Sequence, residues 1–245
     1  MPDFRRRLTG LGNDLAGRAA LLRALYERAM TMGQSEVDGL LNPLLQRLER
    51  QPSVDKGQPD FWAMRAAREF PLPDGHRDRG IFSIYLLNLV RLQPGEATYQ
   101  TAGTLHAYLE GVNVELMANS DNVLRGGLTP KHVNVAELMR VLQFADGRAE
   151  IIRGEELADG ETVFPTPAAE FELSRIKIDG KQAYHNDIRN GPDILIVVDG
   201  VVTARSGKDS LILKTGEILL APQTAGYALE TSGGMAVVFK ASTPR

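Results

Sequence analysis

The hydrophobic pattern of the chain changes period at Gly80, and this change limits the possible folds more than any other feature. Before Gly80, apolar residues recur every three and four positions, which is typical of amphipathic helices. After Gly80, short apolar runs alternate with a period of two and are separated by Gly, Pro and Asn. That second pattern is typical of β-strands. The sequence therefore predicts an N-terminal helical region followed by a mainly β portion.

Three helices are predicted in the first part of the chain. The first ends at Gly33, where the three-and-four spacing of apolar residues is broken. The second runs through residues 37–48, and Pro43 is expected to kink it or to mark its first turn. The third covers residues 61–70, with Asp60 as a candidate N-terminal cap.

Nine strand-like runs follow, and one predicted helix at 134–144 interrupts them. Many short strands with regular turns favour jelly-roll β-sandwiches. We expect a helical region over 1–75, a first β portion over 76–155 and a C-terminal β-sandwich over 156–245, with 71–80 as a turn-rich linker. The predicted strand runs are 81–92, 96–102, 105–111, 112–118, 171–179, 193–204, 209–221, 227–231 and 234–241.

Charge and cysteine content exclude several classes of protein and site. The chain has 245 residues, a net charge of −3 and no cysteine. Disulfides and thiolate metal sites are therefore excluded, and any metal must be held by His, Asp, Glu or Gln. The basic run at residues 5–7 is too short for the basic surface of a nucleic-acid binder.

No membrane or export signal is visible in the sequence. The apolar runs stop far short of the roughly 20 residues that cross a bilayer, and the N-terminus lacks the basic-then-apolar order of a signal peptide. We therefore expect a cytoplasmic protein without a nucleic-acid or membrane partner. The sequence leaves the oligomeric state open.

A possible metal site lies in the run "LHAYLEG". If this run is a strand, His106, Tyr108 and Glu110 fall on one face, while Ala107 and Leu109 fall on the other. Metal ligands in a β-barrel must project inward on alternate residues. The spacing therefore makes His106 a candidate ligand, and a strand histidine satisfied by a neighbouring polar group is the alternative.

The glycines before His106 add a second signal. Gly95, Gly103 and His106 match the spacing of the second cupin metal motif, G-x5-P-x-G-x2-H-x3-N. Thr101 stands at the proline position, and Glu110 stands at the asparagine position. The segment thus resembles a cupin, the jelly-roll superfamily in which a strand histidine binds metal.

The flanking sequence carries a more specific resemblance. The phrases "LLNLVRLQPGEATYQTAGTLHAYLEG" and "VELMANSDNVLRGGLTPKHVNVAEL" contain a PGEA turn, an HAYL strand and the pattern E-x-M-A-x-S-D-N-V-x-R-x-G-L-T-P-K. These features resemble the type I mannose-6-phosphate isomerases, which belong to the cupin superfamily. The resemblance is strong over 80–143, and the flanking regions agree with the family only in architecture.

The resemblance implies an activity and a metal. The family interconverts mannose 6-phosphate and fructose 6-phosphate through a cis-enediol, with a proton moving between C1 and C2. Zinc holds the sugar oxygens and stabilises the charge that develops on them. By position, His106 resembles a zinc ligand of the family. The residues that match the sugar pocket are Tyr108, Glu115, Asp121, Arg125 and Lys131.

The resemblance also suggests a role for each pocket residue. Arg125 is expected to orient sugar oxygens or to stabilise the enediolate. Glu115 or Asp121 carries the proton if burial raises its pKa, and the sequence does not choose between them. Alternatively, Glu115 is an exposed residue of a strand, and Asp121 forms a turn by bonding to its own backbone. Lys131 is expected to pair with the phosphate, and Tyr108 to contact the substrate. We expect the His106 ring to face a sugar-sized cavity with these groups.

The remaining zinc ligands of the family are missing from this sequence. The family supplies a Gln-x-His pair and a Glu, and neither a Gln-x-His nor a His-x-His pair occurs here. Catalytic zinc normally takes three protein ligands plus water. Three explanations stay open: a fragment of a longer isomerase, a short relative that has lost the metal, or replacement ligands. The candidate replacements are His76, Glu96, Glu110, Glu115 and Asp121.

Two functions are therefore predicted. The first is a mannose-6-phosphate isomerase-type aldose–ketose isomerase that uses zinc and takes a sugar phosphate as its substrate. The alternative is a non-catalytic sugar-phosphate-binding or interaction module without the metal. In the C-terminal portion, Gly216 and Pro222 repeat the start of the cupin motif, but no histidine follows. That portion is predicted to be cupin-like and free of metal.

Overall fold

The structure is a computed structural model that describes residues 14–51, 55–120, 122–145, 147–157, 159–186, 191–224 and 226–244. Five helices precede or interrupt twelve strands within these ranges. The helices are α1 (Leu15–Thr31), α2 (Gln34–Glu49), α3 (Pro59–Glu69), α4 (Ile81–Leu86) and α5 (Val135–Val141). The strands are β1 (Glu96–Ala97), β2 (Ile152–Arg153), β3 (Glu155–Glu156), β4 (Glu161–Phe164), β5 (Glu172–Ile178), β6 (Tyr184–Asn186), β7 (Asp193–Asp199), β8 (Val201–Ser206), β9 (Asp209–Lys214), β10 (Ile218–Ala221), β11 (Tyr227–Glu230) and β12 (Ala236–Ser242). The prediction of a mainly β chain with N-terminal helices is confirmed.

The contacts divide the chain into two units. The first consists of the described residues up to Arg91 together with Gln100–Gly111 and Asn122–Ala149. The second consists of Leu92–Tyr99, Val112–Asp121 and Glu150–Arg245, in so far as these are described. The segment that resembles the isomerases is therefore shared between the two units.

The first three helices follow the predicted periodicity closely. The Asp14 side chain caps α1 by accepting a hydrogen bond from the Gly17 amide at 3.0 Å. A new helix starts at Gln34, directly after the predicted break at Gly33. Pro43 lies inside α2, which buries Val37, Leu41, Leu45 and Leu48 and leaves Leu40 half exposed. The helices therefore bury one stripe each, as the spacing predicted.

Asp60 does not cap the third helix. The N-terminal cap of α3 is Gln58, and Pro59 occupies the first turn. A proline there has no amide that needs a partner, so the helix starts two residues earlier than a cap at Asp60 would require. The Asp60 carboxylate instead accepts a hydrogen bond from the Tyr85 hydroxyl at 2.8 Å.

The predicted strand over residues 81–92 is wrong, because its first half forms the helix α4. Ile81 is fully buried, and Ile84 and Tyr85 pack against the same apolar cluster of the first unit. These residues are three and four apart, so a helix places them on one face. A continuous apolar run does not distinguish a buried helix from a strand.

The predicted strands between residues 96 and 118 form only in small part. Glu96 and Ala97 pair with Arg153 and Ile152 as the short ladder β1–β2. Residues 105–118 carry no strand, although exposure alternates along 113–119 as in a half-buried strand. A strand requires a hydrogen-bonded neighbour, and no described strand pairs with these residues.

The strands predicted from residue 171 onward are confirmed and form an antiparallel sandwich in the second unit. One sheet has the order β10-β7-β12-β5-β4-β3, and the other has the order β6-β11-β8-β9. Alternate residues of β5, β7, β11 and β12 are buried in one apolar cluster.

In the part of the chain that the structure describes, no helix is long and apolar enough to span a bilayer.

Candidate functional site

A tight turn precedes His106 and sets its position. The Thr104 amide donates to the Thr101 carbonyl at 3.1 Å, and the two hydroxyl groups lie 2.9 Å apart. Gly103 has a φ of +81°, which an L side chain rarely adopts. The Gln143 amide donates to the Gly103 carbonyl at 3.0 Å. This hydrogen bond attaches the turn to Gln143, just after the end of α5.

His106 presents one ring nitrogen that is able to bind a metal. Its Nδ1 lies 2.9 Å from the Thr104 carbonyl oxygen. A carbonyl only accepts, so in the neutral imidazole Nδ1 carries the proton and Nε2 keeps its lone pair. The ring lies edge-on to the Tyr108 ring, with centroids 6.0 Å apart. Both residues are exposed, Tyr108 to 62%, so the sugar-sized cavity expected around His106 stays a prediction.

Arg125 and Lys131 lie in the first unit, as His106 and Tyr108 do. Arg125 is exposed, and no described residue forms an ion pair or hydrogen bond with its guanidinium. Lys131 is also exposed, and its backbone amide donates to the Thr129 hydroxyl at 3.2 Å. Two cationic side chains are therefore accessible in the loop that precedes α5.

The two candidate proton carriers are placed differently. Glu115 is an exposed residue of the second unit, within the stretch whose exposure alternates. Asp121 lies outside the described residues. The burial that a proton carrier needs is therefore not present at Glu115, and the assignment of that role remains a prediction.

Glu110 is engaged by two cations and does not replace a metal ligand. One carboxylate oxygen lies 2.5 Å from the Lys56 ammonium, and the other lies 2.9 Å from the Arg65 guanidinium. The hydrogen bond from Lys56, together with the two positive charges, lowers the pKa of Glu110 below its ordinary value. Glu110 thus connects the segment after His106 to the helical part of the first unit.

His76 and Glu96, the other described candidates for replacement ligands, are also engaged elsewhere. His76 Nδ1 lies 2.6 Å from a carboxylate oxygen of Asp38. The Glu96 carboxylate accepts a hydrogen bond from the Gln93 amide at 2.9 Å and lies 3.4 Å from Arg153. Neither side chain belongs to a metal-binding group.

The residues present do not fit a complete zinc site. Among the described residues, no three His, Asp or Glu side chains are grouped so that they could hold a metal ion. Catalytic zinc requires three protein ligands and an open position. His106 offers one ring nitrogen that is able to bind a metal, and in the described part of the chain it belongs to no group of three such side chains.

Sequence reasoning missed Asp78, which was assigned to the linker at 71–80. Asp78 is only 9% exposed and accepts hydrogen bonds from the amides of Gly80 and Leu128. It therefore contacts the loop that directly follows Arg125. An aspartate two residues before a glycine at a helix start is a detectable local signal, but the contact with Leu128 is not local.

Comparison with known proteins identifies the family. No family model matches the chain. The chain is 35% identical over 223 residues to the mannose-6-phosphate isomerase of Shigella flexneri, which covers 90% of this chain and 54% of that protein. The chain belongs to the mannose-6-phosphate isomerase family. The probable mannose-6-phosphate isomerase of Caenorhabditis elegans is 36% identical over 221 residues, or 89% of this chain.

Solved structures of phosphomannose isomerases agree with this assignment. A mannose 6-phosphate isomerase from Salmonella typhimurium, bound to fructose 6-phosphate and zinc, has a TM-score of 0.77 and 26% identity. The similarity covers all of this chain and 61% of that one. A zinc-bound mannose 6-phosphate isomerase gives a TM-score of 0.75 at 29% identity, over 93% of this chain and 55% of that one. The predicted cupin fold is thereby confirmed.

The similarity covers most of this chain but only about half of its relatives. The resemblance expected from residues 80–143 covers about nine tenths of the chain. The chain spans about half the length of the curated relatives it matches. The activity of those whole proteins is therefore a proposal for this chain.

Proposed function

We propose that this chain carries part of the sugar-phosphate site of an aldose–ketose isomerase that interconverts mannose 6-phosphate and fructose 6-phosphate. The observation that carries the proposal is the 35% identity to a mannose-6-phosphate isomerase over 90% of the chain. The match to a relative solved with fructose 6-phosphate supports the same substrate class. The cytoplasmic location expected from the sequence stays a prediction.

The reaction needs groups that stabilise charge and move a proton. A base removes the proton from C2 of the aldose, and negative charge develops on the C1 oxygen. The proton of the C2 hydroxyl then moves to the C1 oxygen, and the base returns its proton to C1 as the carbonyl forms at C2. Arg125 suits the developing oxyanion, because a guanidinium is always charged and offers several donors in a fixed plane. Lys131 suits the phosphate as a point charge. Tyr108 contacts the sugar in this proposal.

Proton transfer is assigned to Glu115 or Asp121. Glu115 is exposed in this chain, whereas a proton carrier works best where water is excluded and its pKa is adjusted. The proposal therefore requires that bound sugar phosphate, or further protein, covers Glu115 during the reaction. His106 supplies one zinc ligand in this proposal, provided that further ligands come from outside the described residues.

One observation favours the second function, a sugar-phosphate-binding module without turnover. Among the described residues, no three His, Asp or Glu side chains are grouped to hold a metal, while two accessible cations remain for the phosphate and the sugar oxygens. Binding requires only the cations. Turnover requires the metal and a protected proton carrier as well.

Three measurements on the purified chain separate the two functions. These are zinc content by mass spectrometry, turnover of mannose 6-phosphate in a coupled assay, and binding of fructose 6-phosphate by titration calorimetry. Zinc near one equivalent together with turnover supports the isomerase, and binding without either supports the module. The absence of binding contradicts both. Lys131→Ala is expected to weaken the binding of fructose 6-phosphate, because the phosphate loses a cation, and Lys208→Ala, at an exposed turn of the second unit, is its matched control.

A further inference from the structure

The loop that follows Arg125 is held by a buried carboxylate from a distant part of the chain. The Asp78 Oδ1 atom accepts a hydrogen bond from the Gly80 amide at 2.7 Å, and Oδ2 accepts one from the Leu128 amide at 3.1 Å. Asp78 is 9% exposed. Hydrogen bonds to an ionised acceptor are stronger than those between neutral groups. One side chain therefore joins two segments of the first unit that are 50 positions apart in sequence.

The two segments touch through their backbones. A Cβ atom placed on Gly127 would lie 2.6 Å from the Gly80 Cα atom, and one placed on Gly80 would lie 2.8 Å from the Leu128 nitrogen. Neither distance is compatible with a side chain. The carboxylate of Asp78 bridges this close contact, which only glycine permits at both positions.

Leu128 holds an unusual backbone conformation in this loop. Its φ is +52°, and among the described residues it is the one non-glycine residue with a positive φ. Such a conformation persists only where the surrounding structure holds it. Here the amide of Leu128 is bound by Asp78, and its side chain packs on the apolar cluster that contains Ile81.

The opposite side of the loop is closed as well. A Cβ atom on Gly126 would lie 2.9 Å from the Tyr26 hydroxyl oxygen and 3.2 Å from a methyl carbon of Leu105. Loop residues 126–128 therefore have little room to move, whereas the adjacent Arg125 is exposed. An accessible cation therefore directly precedes a backbone that is in close contact with two other parts of the first unit.

We propose that Asp78 is a positioning residue for Arg125: its carboxylate holds loop 126–128 in the conformation that presents the guanidinium to a sugar phosphate. This inference rests on the proposed function and deepens it by adding a residue outside the segment 94–131. Asp78 acts through the backbone and does not touch the sugar. Asn at this position keeps one acceptor oxygen, but its amide group can only donate, so one of the two backbone amides loses its partner.

Limited trypsin digestion tests the loop directly, because trypsin cleaves after Arg125. We expect Asp78→Asn to raise the rate of cleavage after Arg125 by about tenfold, the effect of losing one hydrogen bond to a buried charge. Cleavage after Lys208 serves as the internal standard. Asp60→Asn is the matched control, because that carboxylate binds the Tyr85 hydroxyl in the same unit. An unchanged rate after Arg125 in Asp78→Asn overturns the proposal.

Binding of fructose 6-phosphate tests the link to Arg125. We expect Asp78→Asn and Arg125→Gln each to weaken binding by about tenfold or more, and the double variant to bind no more weakly than Arg125→Gln. Groups that act through one another are not additive, so a merely structural Asp78 would add its effect to that of Arg125→Gln. Additive losses, or faster cleavage with unchanged affinity, overturn the positioning role.

Two further results keep the outcomes separate. If Asp78→Asn does not fold, Leu128→Ala removes the apolar anchor without altering the carboxylate or relieving the positive φ. It is expected to show faster cleavage after Arg125 and weaker binding of fructose 6-phosphate, and the absence of both changes overturns the proposal. A wild-type chain that binds no fructose 6-phosphate overturns the proposed function and the positioning role together. Unchanged cleavage in a chain that binds overturns the role of Asp78 alone.

Discussion

At the level of single residues, the sandwich of the second unit contains a fully buried ion pair that lies outside the candidate site. Lys240 and Glu161 are both fully buried in the sandwich, and their charged atoms lie 2.6 Å apart. The Tyr184 hydroxyl lies 2.9 Å from the Lys240 ammonium and 3.1 Å from the Glu161 carboxylate. Burial alone would raise the pKa of Glu161, but Lys240 lowers it below the ordinary value.

Removing one partner of this buried pair is expected to be costly. Lys240→Met leaves the Glu161 carboxylate buried without its cation, and we expect a loss of about 3–5 kcal/mol in the free energy of unfolding. The double variant Lys240→Met with Glu161→Leu should recover most of that loss, because no charge then remains buried. Urea denaturation followed by circular dichroism measures both values. A double variant as unstable as the single one contradicts the explanation.

The Asp38 carboxylate gives a pH-dependent prediction. A hydrogen bond from the Arg77 amide, together with the contact to His76, lowers the pKa of Asp38 below its ordinary value. A depressed pKa in the folded state stabilises the fold above the unfolded pKa of about 3.9, and this stabilisation is lost as the pH falls through the folded value.

We therefore expect the urea midpoint of wild type to exceed that of Asp38→Asn at pH 6, and the difference to shrink as the pH falls below about 4. Asp209→Asn, at an exposed aspartate that begins β9, is the control for loss of one carboxylate. A difference between wild type and Asp38→Asn that stays constant from pH 6 to pH 3 would show that the carboxylate charge is not involved.

At the level of elements, the turn at 101–104 contacts the chain after α5 and carries the carbonyl group to which His106 bonds. A Cβ atom on Gly103 would lie 2.7 Å from the Val141 carbonyl oxygen, and the φ of Gly103 is +81°. The turn therefore depends on glycine for both its conformation and its contact with the end of α5. Because His106 bonds to the Thr104 carbonyl, a change in this turn moves the imidazole.

Two glycine substitutions should have opposite effects. Gly103→Ala is expected to lower the free energy of unfolding by about 1–2 kcal/mol or more, because alanine is strained at positive φ. Gly39→Ala lies inside α2 with open space around the new methyl group, and it should raise the free energy of unfolding by about 0.5–1 kcal/mol. Thermal unfolding measures both changes. Equal effects of the two substitutions would contradict the account of the turn.

The success of sequence reasoning differed between elements for a physical reason. The helices α1 to α3 and the strands β5 and β7 to β12 were predicted because the spacing of their apolar residues is visible in the local sequence, whereas β6 was not predicted. Residues 105–118 show strand-like alternation, but strand formation depends on a neighbour that local sequence does not reveal. The helix α4 was mistaken for a strand because an apolar run of twelve residues satisfies both periods.

The sequence predicted which residues belong to the candidate site, but it did not predict how exposed their side chains are. His106, Tyr108, Arg125 and Lys131 were found from the family phrase, and the structure places all four in the first unit as exposed side chains. Their exposure could not be predicted, because burial depends on contacts between distant segments. Asp78 escaped notice for the same reason, since its contact with the loop after Arg125 joins residues far apart in sequence.

At the level of the whole molecule, the chain belongs to the isomerase family, but its described residues do not provide a complete zinc site. It matches mannose-6-phosphate isomerases over nearly its full length while spanning about half of theirs. The described residues group no three possible metal ligands, yet they keep two accessible cations in the loop before α5. The function proposed for this chain therefore depends on recognition of a sugar phosphate through Arg125.

Titration of fructose 6-phosphate into the chain, after a chelator has removed any bound metal, tests recognition through Arg125. Binding that depends on the two cations alone should survive removal of metal. We predict saturable binding at one equivalent for wild type and at least about tenfold weaker binding for Arg125→Gln, because a charge-assisted contact is lost. Absence of saturable binding in wild type, or equal affinity in the two proteins, would contradict the claim.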